Sequence, residues 1–216
     1  MNSTTQAMVA KLDEATFADS RAQGGAVGVA SERATWPPGD LAIWIFILAE
    51  LAVFAIFFAA YAFARKAELE LFVTYQQTLD TQLALINTLA LVTSSYFVVR
   101  AVGRIREDDA GGCIRWLIGA LVLGGVFLVV KGIEYAHVFG EGVRLSTNTF
   151  YTFYLSLTFF HFLHVVMGMV ILAAVAAKAA QGHYGREAHT GVETGASYWH
   201  MVDLVWLILF PLVYVM

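Results

Sequence analysis

The chain has 216 residues, of which 59% are hydrophobic and only 14% are charged, and its formal net charge is −4. Because a soluble domain carries about 25% charged residues, this composition excludes an ordinary soluble protein and indicates a membrane protein. The basic residues are scattered and form no aromatic and basic stripe, which excludes a nucleic-acid-binding surface.

Five apolar stretches are long enough to cross a bilayer, which needs roughly 20 mostly apolar residues. They predict an all-α membrane protein, a bundle of five transmembrane helices, with spans at about 41–64, 82–99, 114–130, 149–177 and 198–215. The fourth stretch exceeds the thickness of the bilayer, so we expect this helix to tilt or to project beyond it.

The first 35 residues are polar, carry charges of both signs and contain no apolar core of signal-peptide length. We therefore expect a disordered cytoplasmic tail over residues 1–35, followed by a transmembrane domain over residues 36–216. The segment Trp36-Pro37-Pro38-Gly39-Asp40 ends the tail, and Asp40 is placed to cap the first helix.

The distribution of lysine and arginine predicts the orientation of the bundle. Nine of the 13 Lys and Arg residues lie in the N-terminal segment and in the loops on its side of the membrane, and four lie on the opposite side. Since positive residues collect in cytoplasmic loops, the N-terminus is predicted to be cytoplasmic and, after five spans, the C-terminus periplasmic.

Glu50 is an ionisable residue deep inside the first predicted span. It lies ten residues from the start of that span, near the middle of the hydrocarbon at about 1.5 Å per residue. Carboxyl groups are rare at this depth and need a partner or a purpose there. Two interpretations stay open: a carboxyl group that handles protons or binds a partner protein, and one that joins two helices by a hydrogen bond.

Four more polar residues occupy the last two spans. His161 and His164 share one face of the fourth span, and His200 and Asp203 share one face of the fifth, because residues three apart are neighbours on a helix. With Glu50 they would supply a mixed nitrogen and oxygen shell for a metal, but they lack the His-Glu-x-x-His and repeated Glu-x-x-His patterns. We therefore favour hydrogen-bonded histidines over a metal site, and predict that these five residues form one buried polar network.

Lys131 and Glu134 form a charged pair at the end of the third predicted span. Their spacing of three allows them to pair on a helix surface. A lysine at this position can also extend its side chain toward the membrane interface. We interpret the two residues as an interfacial charge cluster at a helix end.

Five segments resemble, in sequence order, subunit III of the haem-copper oxidases, the cytochrome c oxidase subunit III family. The last two are the most specific, and together the five cover the chain from about residue 36 to residue 216. The segments are Ala49-Glu50-Leu51 with Phe54-Ala55-Ile56-Phe57-Phe58, Leu85-Ile86-Asn87-Thr88, Lys131-Gly132-Ile133-Glu134-Tyr135, Phe159 to Gly168, and Tyr198 to Trp206.

Large members of this family have seven spans, and the chain matches the last five. Short members resemble the subunit-III-like proteins encoded beside bacterial nitric oxide reductases. The segment from Trp36 to Trp44 looks most like that branch. The resemblance therefore leaves two parent complexes open, an oxidase and a nitric oxide reductase.

The resemblance implies a non-catalytic accessory subunit in the bacterial inner membrane. Such a subunit accompanies a haem-bearing catalytic membrane subunit in aerobic electron transport and supports its assembly, stability, lipid packing or proton uptake. It holds no haem or metal of its own, so no catalytic, cofactor-binding or metal-binding residue is expected here. In seven-span members phospholipids occupy a cleft partly formed by the two missing helices, and Glu50 corresponds to that family's buried, carbodiimide-reactive glutamate.

Two other classes of protein use the same kinds of residue. A metal-dependent integral membrane enzyme would use the histidine and carboxylate residues as a metal site. A proton-coupled carrier would use Glu50 as its coupling carboxyl group. Carriers often contain internal repeats with broken helices, and we find no such repeat, so this interpretation is the weaker of the two.

Overall fold

The structure, a computed structural model, describes residues 40–216. The tail predicted over residues 1–35 lies outside this range. The described residues form helices and the turns between them, without a strand. In chain order the helices are α1 (Leu41–Ala67), α2 (Leu69–Gln76), α3 (Thr81–Arg106), α4 (Ala110–Gly140), α5 (Thr149–Ala180) and α6 (Thr190–Phe210), with a π-helical turn over Pro211–Val215.

Five of these helices in the described part of the chain are long and apolar enough to cross a membrane: α1, α3, α4, α5 and α6 with its π-helical turn. Over residues 40–216 this confirms the predicted all-α fold with five candidate spans. The helices run further than their apolar stretches, because backbone hydrogen bonds continue through polar residues that lie beyond the hydrocarbon. The helix α4 reaches Gly140 rather than residue 130, and α6 starts at Thr190 rather than residue 198.

Short polar side chains begin four of the spans. Asp40 accepts a hydrogen bond from the backbone N–H of Ala42 at 3.1 Å, as predicted for the start of α1. Asp80, Asp109 and Asn148 cap α3, α4 and α5 in the same way. Each cap contributes about 0.5–2 kcal/mol, because it satisfies a backbone N–H that has no partner within the helix.

The helices α3 and α4 pack as an antiparallel hairpin, and α5 and α6 complete the bundle against them. At the centre, Trp199 of α6 lies over two glycines. A Cβ atom on Gly168 of α5 would lie 2.8 Å from a Trp199 ring carbon, and one on Gly124 of α4 would lie 2.9 Å from another. Glycine is therefore required at both positions for the indole ring to fit between the helices.

The helix α1 packs more loosely than the others, against α5 and α6. Its buried residues are Ile47, Phe54 and Tyr61, which are spaced seven residues apart. This spacing is two helical turns, so α1 offers the bundle one narrow stripe. Apart from half-buried residues beside this stripe, such as Leu51 and Phe57, the apolar surface of α1 faces outward, and the position of α1 depends on few contacts.

Candidate functional site

Glu50 and His164 form a direct contact between α1 and α5. The Oε2 atom of Glu50 lies 3.0 Å from Nε2 of His164, and the other ring nitrogen, Nδ1, lies 2.8 Å from the carbonyl oxygen of Phe160. A carbonyl oxygen only accepts, so Nδ1 donates to it. The second contact then holds one further proton, either on the carboxyl group or on Nε2. The two states differ in which of these two atoms, 3.0 Å apart, carries that proton.

His200 and Asp203 face α3 rather than Glu50. The Nδ1 atom of His200 lies 2.6 Å from the Oγ atom of Ser95. Asp203 is buried one turn further along α6, and its Oδ1 atom has no hydrogen-bond partner among residues 40–216. The predicted polar face of the last span is therefore turned toward the α3–α4 hairpin.

His161 occupies an aromatic enclosure. Its ring stacks on Trp206 with centroids 5.1 Å apart and meets Phe127 edge-on at 5.8 Å. Neither of its ring nitrogens has a hydrogen-bond partner in the part of the chain that the structure describes. Its neighbours are thus the faces and edges of other rings.

The five residues that the sequence predicts as one network occupy three places in the bundle. Direct hydrogen bonds join Glu50 to His164, and His200 to Ser95. His161 is enclosed by rings, and Asp203 lies beside the second pair along α6. A single network of all five residues therefore stays a prediction.

A second group of polar residues surrounds Lys131, whose side chain is 0% exposed. Its ammonium group donates to Oε1 of Glu134 at 3.0 Å and to the hydroxyl oxygen of Tyr214. The same Oε1 atom accepts from the hydroxyl groups of Tyr154 at 2.5 Å and Tyr214 at 2.6 Å. We call Lys131, Glu134, Tyr154 and Tyr214 the Lys131 cluster.

Aromatic rings replace water around the ammonium group of Lys131. Its Nζ atom lies 5.0 Å from the ring centroid of Tyr154, 5.1 Å from those of Tyr135 and Tyr214, and 5.8 Å from that of Trp206. Rings at these distances attract a cation through their negative faces, and more strongly where water is excluded. The charge is therefore balanced by one carboxylate and four rings.

The Lys131 cluster corrects our interpretation of Lys131 and Glu134 as an interfacial charge cluster. The helix α4 continues past both residues, and the lysine lies inside the bundle rather than at its surface. The spacing of three predicted the pairing itself. The tyrosines gave no local signal, because Tyr154 and Tyr214 are 23 and 83 residues away in sequence.

The sequence also left a metal site open as an alternative. Within residues 40–216, no group of three or more His, Cys, Asp and Glu side chains is arranged to hold a metal ion. The carboxyl and imidazole groups of Glu50 and His164 form a pair, with rings rather than further ligands around them: Phe54 and Phe160 lie 5.2 and 4.7 Å from the imidazole.

The fold and the buried polar groups define a class, a multi-pass helical membrane protein with five candidate spans over residues 40–216 and ionisable groups inside the bundle. A family model described as cytochrome c oxidase subunit III matches residues 33–216. The chain therefore belongs to the cytochrome c oxidase subunit III family. It is a multi-pass bacterial membrane protein.

Curated relatives share this similarity over most of the chain. Cytochrome c oxidase subunit 3 of Synechocystis sp. is 35% identical over 173 residues, which are 80% of this chain and 73% of the relative. The protein of the same name from Thermostichus vulcanus is 34% identical over 186 residues, 82% of this chain and 86% of the relative. Heme-copper oxidase subunit I+III of Aeropyrum pernix is 31% identical over 189 residues, 83% of this chain but 23% of that protein.

Proposed function

We propose that the chain is a non-catalytic accessory subunit of a respiratory haem-copper oxidase in the bacterial inner membrane. The family match over residues 33–216 carries this proposal. The partner is a haem-bearing catalytic subunit. In its support, one relative is named as subunit I and subunit III together, and this chain covers 23% of that protein.

The work of such a subunit is to present a defined surface to its partner, so its own helices must hold one register. Buried polar contacts do this because a half-satisfied contact is more costly than an apolar one. Glu50 and His164 fix the loosely packed α1 against α5. The Lys131 cluster fixes α4, α5 and the π-helical turn against one another. Assembly and stability of the catalytic subunit are the roles that this arrangement favours.

The orientation and the parent complex are parts of the same proposal. The excess of Lys and Arg on one side supports a cytoplasmic N-terminus and a periplasmic C-terminus. The names of the relatives in Synechocystis and Thermostichus favour an oxidase as the parent. The likeness of residues 36–44 to proteins encoded beside nitric oxide reductases keeps that reductase as a second candidate.

Purification of the intact complex tests the proposal. A tag at the N-terminus avoids the π-helical turn, where Val213 and Tyr214 are buried. After gentle detergent extraction we expect the chain to co-purify with a haem-bearing membrane subunit, identified by its absorption spectrum and by mass spectrometry. Oxygen and nitric oxide consumption by the purified complex then distinguishes the two parents. A chain that purifies alone with stoichiometric iron, copper or zinc would overturn the proposal in favour of a metal-dependent enzyme.

A further inference from the structure

The α3–α4 hairpin carries a groove at the end where the two helices are joined. Its main cavity has a volume of about 420 Å³, and an adjoining cavity of about 270 Å³ shares Arg104 with it. We call both together the arginine groove. The main cavity is lined by Phe97, Arg104, Gly112, Arg115, Trp116 and Gly119, and Arg100 lies on the adjoining one.

Two of the three arginines of the groove have no counter-charge among the residues that the structure describes. Arg104 pairs with Glu107 at 3.2 Å and lies 3.9 Å from Asp109. In contrast, neither Arg100 nor Arg115 forms an ion pair with a carboxylate of residues 40–216. The guanidinium group of Arg100 lies over the Trp116 ring instead, 5.6 Å from its centroid. Glu107, the partner of Arg104, also lines the adjoining cavity, so three arginines face one lining carboxylate and the groove presents an excess of positive charge.

The walls of the groove are apolar. The rings of Phe97 and Trp116 meet edge to face with their centroids 5.0 Å apart. A Cβ atom on Gly119 would lie 2.8 Å from the Phe97 ring. The ring therefore fits against α4 only because residue 119 has no side chain. The groove thus combines a cationic end with an aromatic, apolar body, and a ligand that fits it is amphipathic and anionic.

The position of the groove selects among such ligands. It lies where α3 ends at Arg106 and α4 begins at Ala110, at the end of two membrane spans. In the proposed orientation this end is cytoplasmic, and the cytoplasmic leaflet holds the anionic lipids that attract arginines. Guanidinium groups form bidentate hydrogen bonds with phosphate. Tryptophan is enriched at the level of the lipid headgroups in a membrane.

We propose that the arginine groove binds one anionic phospholipid. The phosphate lies at Arg100 and Arg115, and an acyl chain lies along Phe97, Trp116 and Gly119. The residues of this site all belong to α3, α4 and the turn that joins them. The inference deepens the lipid-packing role and rests on the proposed function, because that function supplies the orientation of the hairpin.

Lipid binding by the purified complex tests the site directly. The complex is stripped of lipid in detergent, then supplied with phosphatidylglycerol or with phosphatidylcholine of the same acyl chains, and bound lipid is counted by native mass spectrometry. We expect selective retention of phosphatidylglycerol, unchanged by an excess of inorganic phosphate. The double variant Arg100→Gln/Arg115→Gln should weaken retention about tenfold. Arg144→Gln, which changes an exposed arginine outside the groove, is the matched control and should leave retention unchanged.

A measurement on the unaltered chain guards against a variant that does not fold. Phosphatidylglycerol with brominated acyl chains should quench tryptophan fluorescence more than brominated phosphatidylcholine, and Trp116→Phe should remove that difference. Equal retention of both lipids, or unchanged retention in the double variant, would overturn the site. If the haem-bearing subunit still co-purifies in that case, the proposed function stands and only the lipid site fails.

Discussion

Substitution of Glu50 measures how much a single half-buried hydrogen bond contributes to holding α1 in place. The amide group of Glu50→Gln can still donate to Nε2 of His164, whereas Glu50→Ala leaves that ring nitrogen without a partner. We expect Glu50→Ala to lower the free energy of unfolding by about 1–3 kcal/mol, and Glu50→Gln to lower it less. Denaturant titration in detergent, followed by circular dichroism, measures both.

Leu48→Ala is the matched control for this comparison, because Leu48 is exposed on the same helix. It shortens a side chain on α1 without removing a hydrogen bond. If Glu50→Ala and Leu48→Ala reduced the stability equally, the contact between Glu50 and His164 would contribute nothing to the position of α1.

The Lys131 cluster gives an asymmetric prediction for its two charged residues. Glu134→Gln leaves the ammonium group buried without a counter-charge, and we expect a loss of about 3–5 kcal/mol in the free energy of unfolding. Lys131→Met removes the charge that is hardest to bury, and the carboxylate keeps the hydroxyl groups of Tyr154 and Tyr214. The double variant should therefore be more stable than Glu134→Gln alone in the same unfolding assay.

Glu107→Gln is the control for burial, because Arg104 and Glu107 have the same spacing as Lys131 and Glu134 but are exposed. We expect this change to cost less than about 1 kcal/mol. If Glu107→Gln lowered the free energy of unfolding as much as Glu134→Gln, burial among aromatic rings would not contribute to the cost of losing the counter-charge of Lys131.

At the scale of the helix, the π-helical turn Pro211–Val215 is held to the bundle through Tyr214. Its hydroxyl group forms hydrogen bonds with both Lys131 and Glu134 of α4, and so joins the turn to that helix. Tyr214→Phe removes this connection and keeps the ring. We expect faster hydrogen exchange in the backbone amides of residues 211–215, with α3 unchanged. Mass spectrometry of deuterated peptides measures the difference.

Tyr96→Phe serves as the control for this substitution, since Tyr96 is an exposed residue of α3. It removes a hydroxyl group of the same kind outside the Lys131 cluster. If hydrogen exchange in residues 211–215 were as slow in Tyr214→Phe as in Tyr96→Phe, the Tyr214 hydroxyl group would have no role in holding the turn.

The spans could be predicted from the sequence because length and apolar composition decide which segments cross a bilayer. The ends of the helices could not be predicted in this way, because each helix continues beyond its apolar stretch into polar residues. Lys131 shows the consequence: it was assigned to a helix end, yet nine more residues of α4 follow it, up to Gly140.

Helical periodicity predicts which residues share a face but not which neighbouring helix that face meets. His200 and Asp203 do lie on one face of α6, as their spacing requires. That this face meets Ser95 of α3 depends on the rotation of α6 in the bundle. The tyrosines of the Lys131 cluster are missed for the same reason, because they converge only when the helices pack.

For the whole molecule, the open question is whether the five predicted residues act together across α1, α5 and α6. A double-mutant cycle decides it, because coupled residues give unfolding free energies that do not add. We expect Glu50→Gln and His164→Phe to be coupled by their direct contact. Coupling between Glu50→Gln and His200→Phe in the same denaturant titration would link the Glu50–His164 pair to the polar face of α6, as one network requires. Additive losses within about 0.5 kcal/mol would establish two separate pairs.

The Lys131 cluster also constrains the order in which this protein can be made. Its lysine precedes Tyr154 by 23 residues and Tyr214 by 83, and both tyrosines belong to later elements, so the third span is made before the helices that bring their hydroxyl groups to it. Insertion of a lysine near the centre of a helix costs about 2.5–3.5 kcal/mol. Glu134, on the same helix, is the one member of the cluster that accompanies it during insertion. We therefore expect the ion pair to form first, and the tyrosines to complete its surroundings when the later helices pack against α4.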